Sequence, residues 1–157
     1  MYLKEFEIRW SDLDANRHMA NSAYINFMSH TRMAYLLELG LSQGQMAKEG
    51  LGPVVFYEHI HYFREAFAGQ PVQVSLELMG LSGDGMFFEF LHNFYDSKGR
   101  NFARCQIMGG WIDLAQRVLA PLPETLLKAF SAMERAEGFR ELTKADTRRF
   151  GQFPLDL

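Results

Sequence analysis

The chain has 157 residues, of which 48% are hydrophobic and 22% are charged, and its formal net charge is −3. This length suits a single domain with a buried core, and this balance of residues is typical of a globular protein rather than a disordered one. The sequence has no block of Lys and Arg residues, which argues against nucleic-acid binding.

The sequence also gives an expectation about the cellular compartment. Residues 1–10 carry charges near alternate positions and lack the apolar core of a signal peptide. No segment reaches the ~18 uncharged apolar residues that a membrane helix requires, so we expect no membrane partner. The single cysteine, Cys105, is typical of a reducing compartment, and we therefore expect a cytoplasmic location.

The first part of the chain is predicted to form a strand, a polar loop and a helix. Residues 2–10 alternate between apolar and charged side chains with an imperfect period of two, which indicates a strand. After the polar loop, a helix is predicted from about Ser22 to Leu39, with Asn21 or Ser22 as its N-cap and a glycine after its end. Its apolar residues cover more than one stripe, so we expect this helix to be buried on most sides.

Four further strand-like segments follow, separated by short turns that contain glycine, proline or aspartate. They span residues 53–63, 71–79, 86–95 and 101–113. Strands joined by short turns predict an antiparallel meander. Residues 41–52 are a connection with room for one helical turn, and an amphipathic helix is predicted from Glu124 to about Ala136.

These elements predict an α+β fold in which a curved antiparallel sheet wraps around the long central helix, because a helix that is apolar on several sides needs such a cover. A single sheet of this kind exposes long strand edges, which favour pairing with a second subunit. We therefore expect a dimer with a continuous sheet. Residues 1–136 are predicted to form one domain, and residues 137–157 to form a C-terminal tail that wraps the surface or is partly disordered.

Two segments carry a resemblance to a known family. The first holds the motifs SDLD at 11–14, NRHMAN at 16–21 and Ala23-Tyr24, followed by Arg32 and Gly40, and the second is REAFAGQPVQV at 64–74. With these motifs the sequence resembles the hotdog-fold acyl-CoA thioesterases, in particular the 4-hydroxybenzoyl-CoA thioesterase-like group. The resemblance covers roughly residues 3–135.

This resemblance implies a hotdog fold, a homodimer or homotetramer, and hydrolysis of an acyl-CoA to the free acid and coenzyme A without a metal or other cofactor. By analogy with the family, Asp14 is the catalytic carboxylate and either attacks the thioester carbonyl or activates a water molecule. The backbone N–H near Asn21 is expected to polarise the carbonyl oxygen, because N–H groups at a helix start are unpaired and lie at the positive end of the helix dipole. His18 and Tyr24 are expected to contact the substrate.

Other residues with reactive groups are interpreted as structural. Asp12 is expected to bond loop amides, and Cys105 lacks the partners of a reactive thiol, so we expect it to be buried and inert. His59 and His61 lie on one face of a strand at a spacing that can bind a metal, but no third ligand is evident and no metal site is predicted. For His18, lining the pocket, orienting the catalytic carboxylate and packing the loop stay open as roles.

The alternative to an enzyme is a non-catalytic acyl-CoA-binding or regulatory protein on the same fold. Asp14 favours the enzyme, because a protein that only binds has no need of a carboxylate beside the thioester. The sequence has no DNA-binding segment that would suit a transcriptional regulator. A thioester of an acyl carrier protein is a second option for the substrate, and the sequence leaves the acyl group open.

Overall fold

The computed structural model describes residues 1–157 and contains six strands and three α-helices. The strands are β1 (Tyr2–Glu7), β2 (Leu51–Tyr62), β3 (Pro71–Leu81), β4 (Phe87–Tyr95), β5 (Asn101–Asp113) and β6 (Arg135–Glu141). The helices are α1 (Asn21–Glu38), α2 (Gln43–Lys48) and α3 (Glu124–Ser131). None of the helices combines the length and the apolar character needed to cross a membrane.

Two elements end earlier than the sequence predicts. The first strand stops at Glu7 because the chain then enters a 3₁₀ turn, Trp10–Asp12, closed by hydrogen bonds between Asp12 and Arg9. The last helix stops at Ser131 rather than near Ala136, because the chain there leaves the helix to form β6.

Four antiparallel pairings join five strands into a sheet with the order β1-β3-β4-β5-β2. Strand β6 pairs with β3 in parallel, beyond the end of β1. The predicted meander is correct for β3, β4 and β5 but wrong for β2, which pairs with β5 from Leu51↔Asp113 to Tyr62↔Ala103. Strands β1 and β6 pair with one side of β3, and β4 pairs with the other, so β2 cannot pair with β3. Residues 63–70 therefore cross from one edge of the sheet to the other.

Helix α1 packs against the sheet through one face. Its buried residues recur at helical spacing, and they are Ala23, Tyr24, Phe27, Met28, Thr31 and Leu36. On other faces Ile25 is 41% exposed and Leu37 is 61% exposed. The expectation of burial on most sides is thus wrong for the single chain, because one sheet covers only one side of the helix.

The start of α1 also differs from the prediction. Ala20 is the N-cap and Asn21 is the first helical residue, and no side chain caps the helix. The Oδ1 atom of Asn21 accepts a hydrogen bond from the N–H of Ser22 at 2.9 Å, so it is not available to act as a cap for later amides.

The side of the sheet that faces α1 is rich in aromatic residues. Phe94 and Phe102 pack with the first half of the helix, and Phe88, Phe90 and Trp111 pack around its second half. Shifts in register, after Val55 in β2 and after Leu78 in β3, mark bulges that bend the strands. The predicted α+β hotdog arrangement, a curved antiparallel sheet around a long helix, is confirmed.

The sheet continues past residue 136. Strand β6 crosses that position, and Leu142, 3% exposed, lies over β3 where a Cβ atom on Gly80 would come within 2.8 Å of its side chain. On the opposite side of the sheet from α1, Arg140 pairs with the buried Glu89 at 2.9 Å. The predicted boundary after 136 thus runs through a strand, and we place residues 137–142 with the sheet.

Candidate active site

The loop between β1 and α1 is closed on itself by the carboxylate of Asp14. Its Oδ1 atom accepts hydrogen bonds from the main-chain N–H groups of Asn16 at 2.8 Å and of His18 at 3.0 Å. Arg17 adopts a left-handed conformation with a φ of 63°, which lets the chain turn back. The turn therefore holds the exposed Asp14 carboxylate in a fixed position and leaves its Oδ2 atom without a partner in the chain.

Asp12, two residues earlier, has the opposite environment. It is 6% exposed and accepts hydrogen bonds from the main-chain N–H of Arg9 at 2.9 Å and from its guanidinium at 3.0 Å. These bonds hold the pKa of Asp12 below its usual value. The carbonyl of Asp12 also accepts from the N–H of Ala20 at 2.8 Å, so this residue anchors the start of α1.

One main-chain donor remains free at the helix start. The N–H of Ser22 is bonded by Asn21 Oδ1, and the N–H of Ala23 donates to the carbonyl of Ala20, each at 2.9 Å. The N–H of Asn21 itself has no acceptor in the chain. An unpaired amide at the positive end of a helix dipole can stabilise an oxygen that gains negative charge.

One open cavity of about 410 Å³ brings all four predicted site residues together, namely Asp14, His18, Asn21 and Tyr24. The remaining walls come from Met19 and from the end of β2 and the segment after it. These other lining residues are Tyr62, Phe63, Arg64, Glu65 and Ala66. Asp14, which has a free carboxylate oxygen, and Asn21, which has a free amide, thus line the same space.

Tyr24 forms the inner wall of this cavity. It is 3% exposed, and its ring lies edge-on to that of Tyr62 with 5.0 Å between centroids. Burial, together with the nearby Tyr62 and Asp14, raises the pKa of Tyr24 to about 12. The phenol is therefore protonated at neutral pH and can act as a hydrogen-bond donor.

The ring of His18 forms a side wall. Its Nε2 atom lies 3.6 Å from Glu65 Oε1, and its ring packs edge-on against Phe67 with 5.0 Å between centroids. The group of His18 that bonds Asp14 is its main-chain N–H, and the imidazole takes no part in that bond.

The sequence alone did not assign Tyr62, Arg64 and Glu65 to the site. They reach it because the segment after β2 crosses beside the helix start, where Met19 N donates to Ala66 O at 2.7 Å. Arg64 is exposed and forms no ion pair in the chain, although it lies in the same cavity as Asp14. The only sequence signal was that Arg64 opens the second matching segment.

No group of three or more His, Cys, Asp or Glu side chains is placed to hold a metal ion. His59 instead packs against Phe150 with 4.0 Å between ring centroids. Cys105 is buried, and burial raises the pKa of its thiol to about 12, so this residue has little thiolate character at neutral pH.

The sequence matches the family model of the thioesterase-like superfamily over residues 8–130. The chain belongs to the thioesterase-like superfamily. This membership confirms the predicted class, a thioester hydrolase on a hotdog fold. Among curated proteins, no sequence match was found.

Solved structures of low sequence identity share the fold of this superfamily member. A 1,4-dihydroxy-2-naphthoyl-CoA thioesterase from Synechocystis is 19% identical, with a TM-score of 0.74 over 83% of this chain and 96% of that one. A hypothetical protein from Staphylococcus aureus in complex with CoA is 18% identical, with a TM-score of 0.76 over 82% of this chain and 80% of that one. A hypothetical protein from Aquifex aeolicus is 18% identical, with a TM-score of 0.75 over 82% and 98%.

Proposed function

We propose that this protein hydrolyses acyl-CoA thioesters to the free acid and coenzyme A. One observation carries the proposal: Asp14, with an unpartnered carboxylate oxygen, and Asn21, with an unpaired N–H, line the same cavity at the start of α1. These are the two groups that thioester hydrolysis requires, a base or nucleophile and a donor for the developing oxyanion.

The reaction follows from this arrangement. The thioester carbonyl oxygen lies at the N–H of Asn21, where the helix dipole stabilises the negative charge of the tetrahedral intermediate. Asp14 Oδ2 either attacks the carbonyl carbon or takes a proton from an attacking water molecule. The C–S bond then breaks and coenzyme A leaves as the thiol. If water attacked, the acid is released at once; if Asp14 attacked, water hydrolyses the anhydride between Asp14 and the acyl group and releases the acid. By both routes one water molecule is consumed.

Two features support a coenzyme A ester as the substrate. Arg64 offers an unpaired guanidinium at the cavity, and such groups bind phosphate oxygens well. The structural neighbours described above include a CoA complex and a CoA thioesterase. We propose that the coenzyme passes over Arg64 and that the acyl group enters between Tyr24 and the helix start.

The proposed enzyme is a homodimer, alone or as half of a homotetramer. Strand β2 forms one edge of the sheet, and its outer side has no partner strand. Apolar side chains on β2 or just after it are exposed: Val55 is 50% exposed, Tyr62 is 52% exposed and Phe63 is 54% exposed. Pairing of two β2 edges would extend the sheet and cover these side chains. Light scattering after gel filtration should give twice or four times the chain mass, and a monomer mass would contradict this architecture.

The experiment that tests the activity is release of free thiol from aromatic, short, medium and long acyl-CoA esters. Asp14→Asn and Asp14→Ala should each lower kcat/KM at least ~10²-fold, because both remove the carboxylate. Asp96→Asn is the matched control, because Asp96 makes the same two main-chain hydrogen bonds in the turn after β4 and lies outside this cavity. Full activity in a folded Asp14 variant would refute the assignment, and binding without hydrolysis by the wild type would favour the non-catalytic alternative.

A further inference from the structure

A second cavity lies further along α1, between the helix and the sheet. It measures about 220 Å³ and is lined mainly by apolar and aromatic side chains, among them Leu36, Phe90 and Trp111. Two polar residues of the helix, Ser29 and Arg32, also line it. The half-buried guanidinium of Arg32 in an otherwise apolar cavity needs a physical account, because a charge that loses part of its water without a partner is costly.

Arg32 is held in place by a chain of hydrogen bonds. One guanidinium nitrogen donates to Ser29 Oγ at 3.0 Å, and another lies 3.3 Å from Nε2 of His92. The Nδ1 atom of His92 lies 2.6 Å from the carbonyl of Ser75, which can only accept, so Nδ1 carries the proton and Nε2 accepts from Arg32. Complete burial, aided by the charge of Arg32, lowers the pKa of His92 to about 3 and keeps the ring neutral.

These bonds leave most of the donors of Arg32 unused. A guanidinium has five N–H groups, and only two are bonded here. No carboxylate forms an ion pair with it, and Glu58 acts on it only at longer range. The cavity therefore presents a positive charge and several unpaired donors, with no anion to receive them.

The second cavity lies on the same face of α1 as the proposed oxyanion donor. Asn21, Ile25, Ser29, Arg32 and Leu36 follow one another at intervals of three or four residues, which places them in one row along the helix. The guanidinium of Arg32 reaches back to Ser29, eight residues after Asn21 and about 12 Å along the axis, close to the span of an extended acyl group of eight to ten carbons. An extended acyl group with its carbonyl at Asn21 can follow this row into the second cavity.

We infer that the second cavity receives the far end of the acyl group and that this end carries a carboxylate, bound by Arg32. The substrate class is then a medium-chain acyl-CoA with a terminal carboxylate, the monothioester of a dicarboxylic acid. A carboxylate fits better than a hydroxyl group, because it neutralises the charge of Arg32 and can accept two parallel N–H bonds from it. His92 is a positioning residue that acts through Arg32. This inference rests on the proposed hydrolysis of acyl-CoA esters.

The test compares esters of equal length that differ only at the far end, suberoyl-CoA against octanoyl-CoA and sebacoyl-CoA against decanoyl-CoA. The wild type should prefer the carboxylated esters by about 10- to 100-fold in kcat/KM, the effect of hydrogen bonds to a charged group. Arg32→Met, which keeps an unbranched apolar side chain and removes the guanidinium, should abolish this preference, and Arg32→Lys should retain part of it. His92→Phe should lower the preference chiefly through a higher KM for the carboxylated esters. Arg117→Met, in an exposed loop, is the control and should keep the full preference.

Binding of the free acids provides a readout that does not depend on hydrolysis. Suberate should bind the wild type in calorimetry more tightly than octanoate, and Arg32→Met should lose that difference while its circular dichroism stays that of the wild type. Equal hydrolysis of carboxylated and methyl-ended esters, unchanged by Arg32→Met, would overturn the inference and leave the proposed function intact. Binding of suberate through Arg32 in a protein that hydrolyses no acyl-CoA would support the carboxylate site and refute the proposed function.

Discussion

Two five-residue turns of this chain have the same hydrogen bonds and different surroundings. In the turn before α1, Oδ1 of Asp14 accepts from the main-chain N–H groups two and four residues further on, and in the turn between β4 and β5 Oδ1 of Asp96 does the same. The fourth residue of each turn is left-handed, with a φ of 63° at Arg17 and 73° at Gly99. The local structure of the two turns is therefore equivalent.

The second carboxylate oxygen distinguishes them. Oδ2 of Asp96 accepts a hydrogen bond from Nε of Arg100 at 2.7 Å and forms an ion pair with Nη2 of the same guanidinium, also at 2.7 Å. Oδ2 of Asp14 has no cation beside it and opens to the cavity that also contains Asn21. A turn of this kind fixes a carboxylate in space, and the residue placed beside its second oxygen decides whether that oxygen is available for chemistry.

The largest expected effect comes from giving the first turn the arginine of the second. His18 occupies the position that corresponds to Arg100, so His18→Arg should bring a guanidinium to Oδ2 of Asp14 and lower kcat/KM about 10- to 100-fold, because an ion-paired carboxylate is a weaker base and nucleophile. Thiol release measures the effect. His18→Gln removes the ring without adding a cation, and an equal loss in that variant would assign the effect to the ring.

A smaller effect is expected from the left-handed residues. Gly99→Ala should lower the free energy of unfolding by about 1 kcal/mol, because a Cβ atom is disfavoured at positive φ. Arg17→Gly should raise the free energy of unfolding by about 0.5 kcal/mol. Glycine removes the strain of a Cβ atom at positive φ, and this stabilisation exceeds the cost of the entropy that glycine adds to the unfolded chain. Urea denaturation measures both. Changes of the same sign in the two variants would contradict the equivalence of the turns.

The smallest effect concerns pH. Hydrogen bonds from the main chain and side chain of Arg100 hold the pKa of Asp96 below its usual value. The unfolded chain therefore takes up this proton at a higher pH than the folded chain, and stability is lost as pH falls below about 4. As the pH falls through this range, the wild type should lose stability more steeply than Asp96→Asn does. Denaturation at a series of pH values measures the two slopes. Identical slopes would show that the arginine bonds do not favour the charged carboxylate.

Much of the fold was predictable because local patterns reflect it directly. Strand-like segments separated by turn residues predicted strands β3, β4 and β5 to within two residues. The partner of β2 was not predictable, because alternation gives the faces of a strand and not its neighbour. The exposed side of α1 was also missed, since the sequence shows that a helix is apolar but not how many sides its own chain covers.

The candidate site shows the same division. The family motif led to Asp14, His18, Asn21 and Tyr24, and the structure brings all four to one cavity. Tyr62 carried no signal of a role in the site, and Glu65 lay in the second matching segment without an assigned role, because both reach the cavity only through the crossing of residues 63–70. The turn at 14–18 was equally hidden, since a left-handed Arg17 has no distinguishing sequence mark, whereas the turn ending at Gly99 was predicted from its glycine.

The sequence by itself determined which residues could do chemistry here and what local structure each adopts, because turns, strand alternation and helix length depend on neighbours in the chain. The tertiary structure decided which of those residues act. Asp14 and Asp96 have the same turn, yet only Asp14 opens to a free helix amide. That difference arises from contacts between segments distant in sequence, where packing and charge are set by what the fold places side by side.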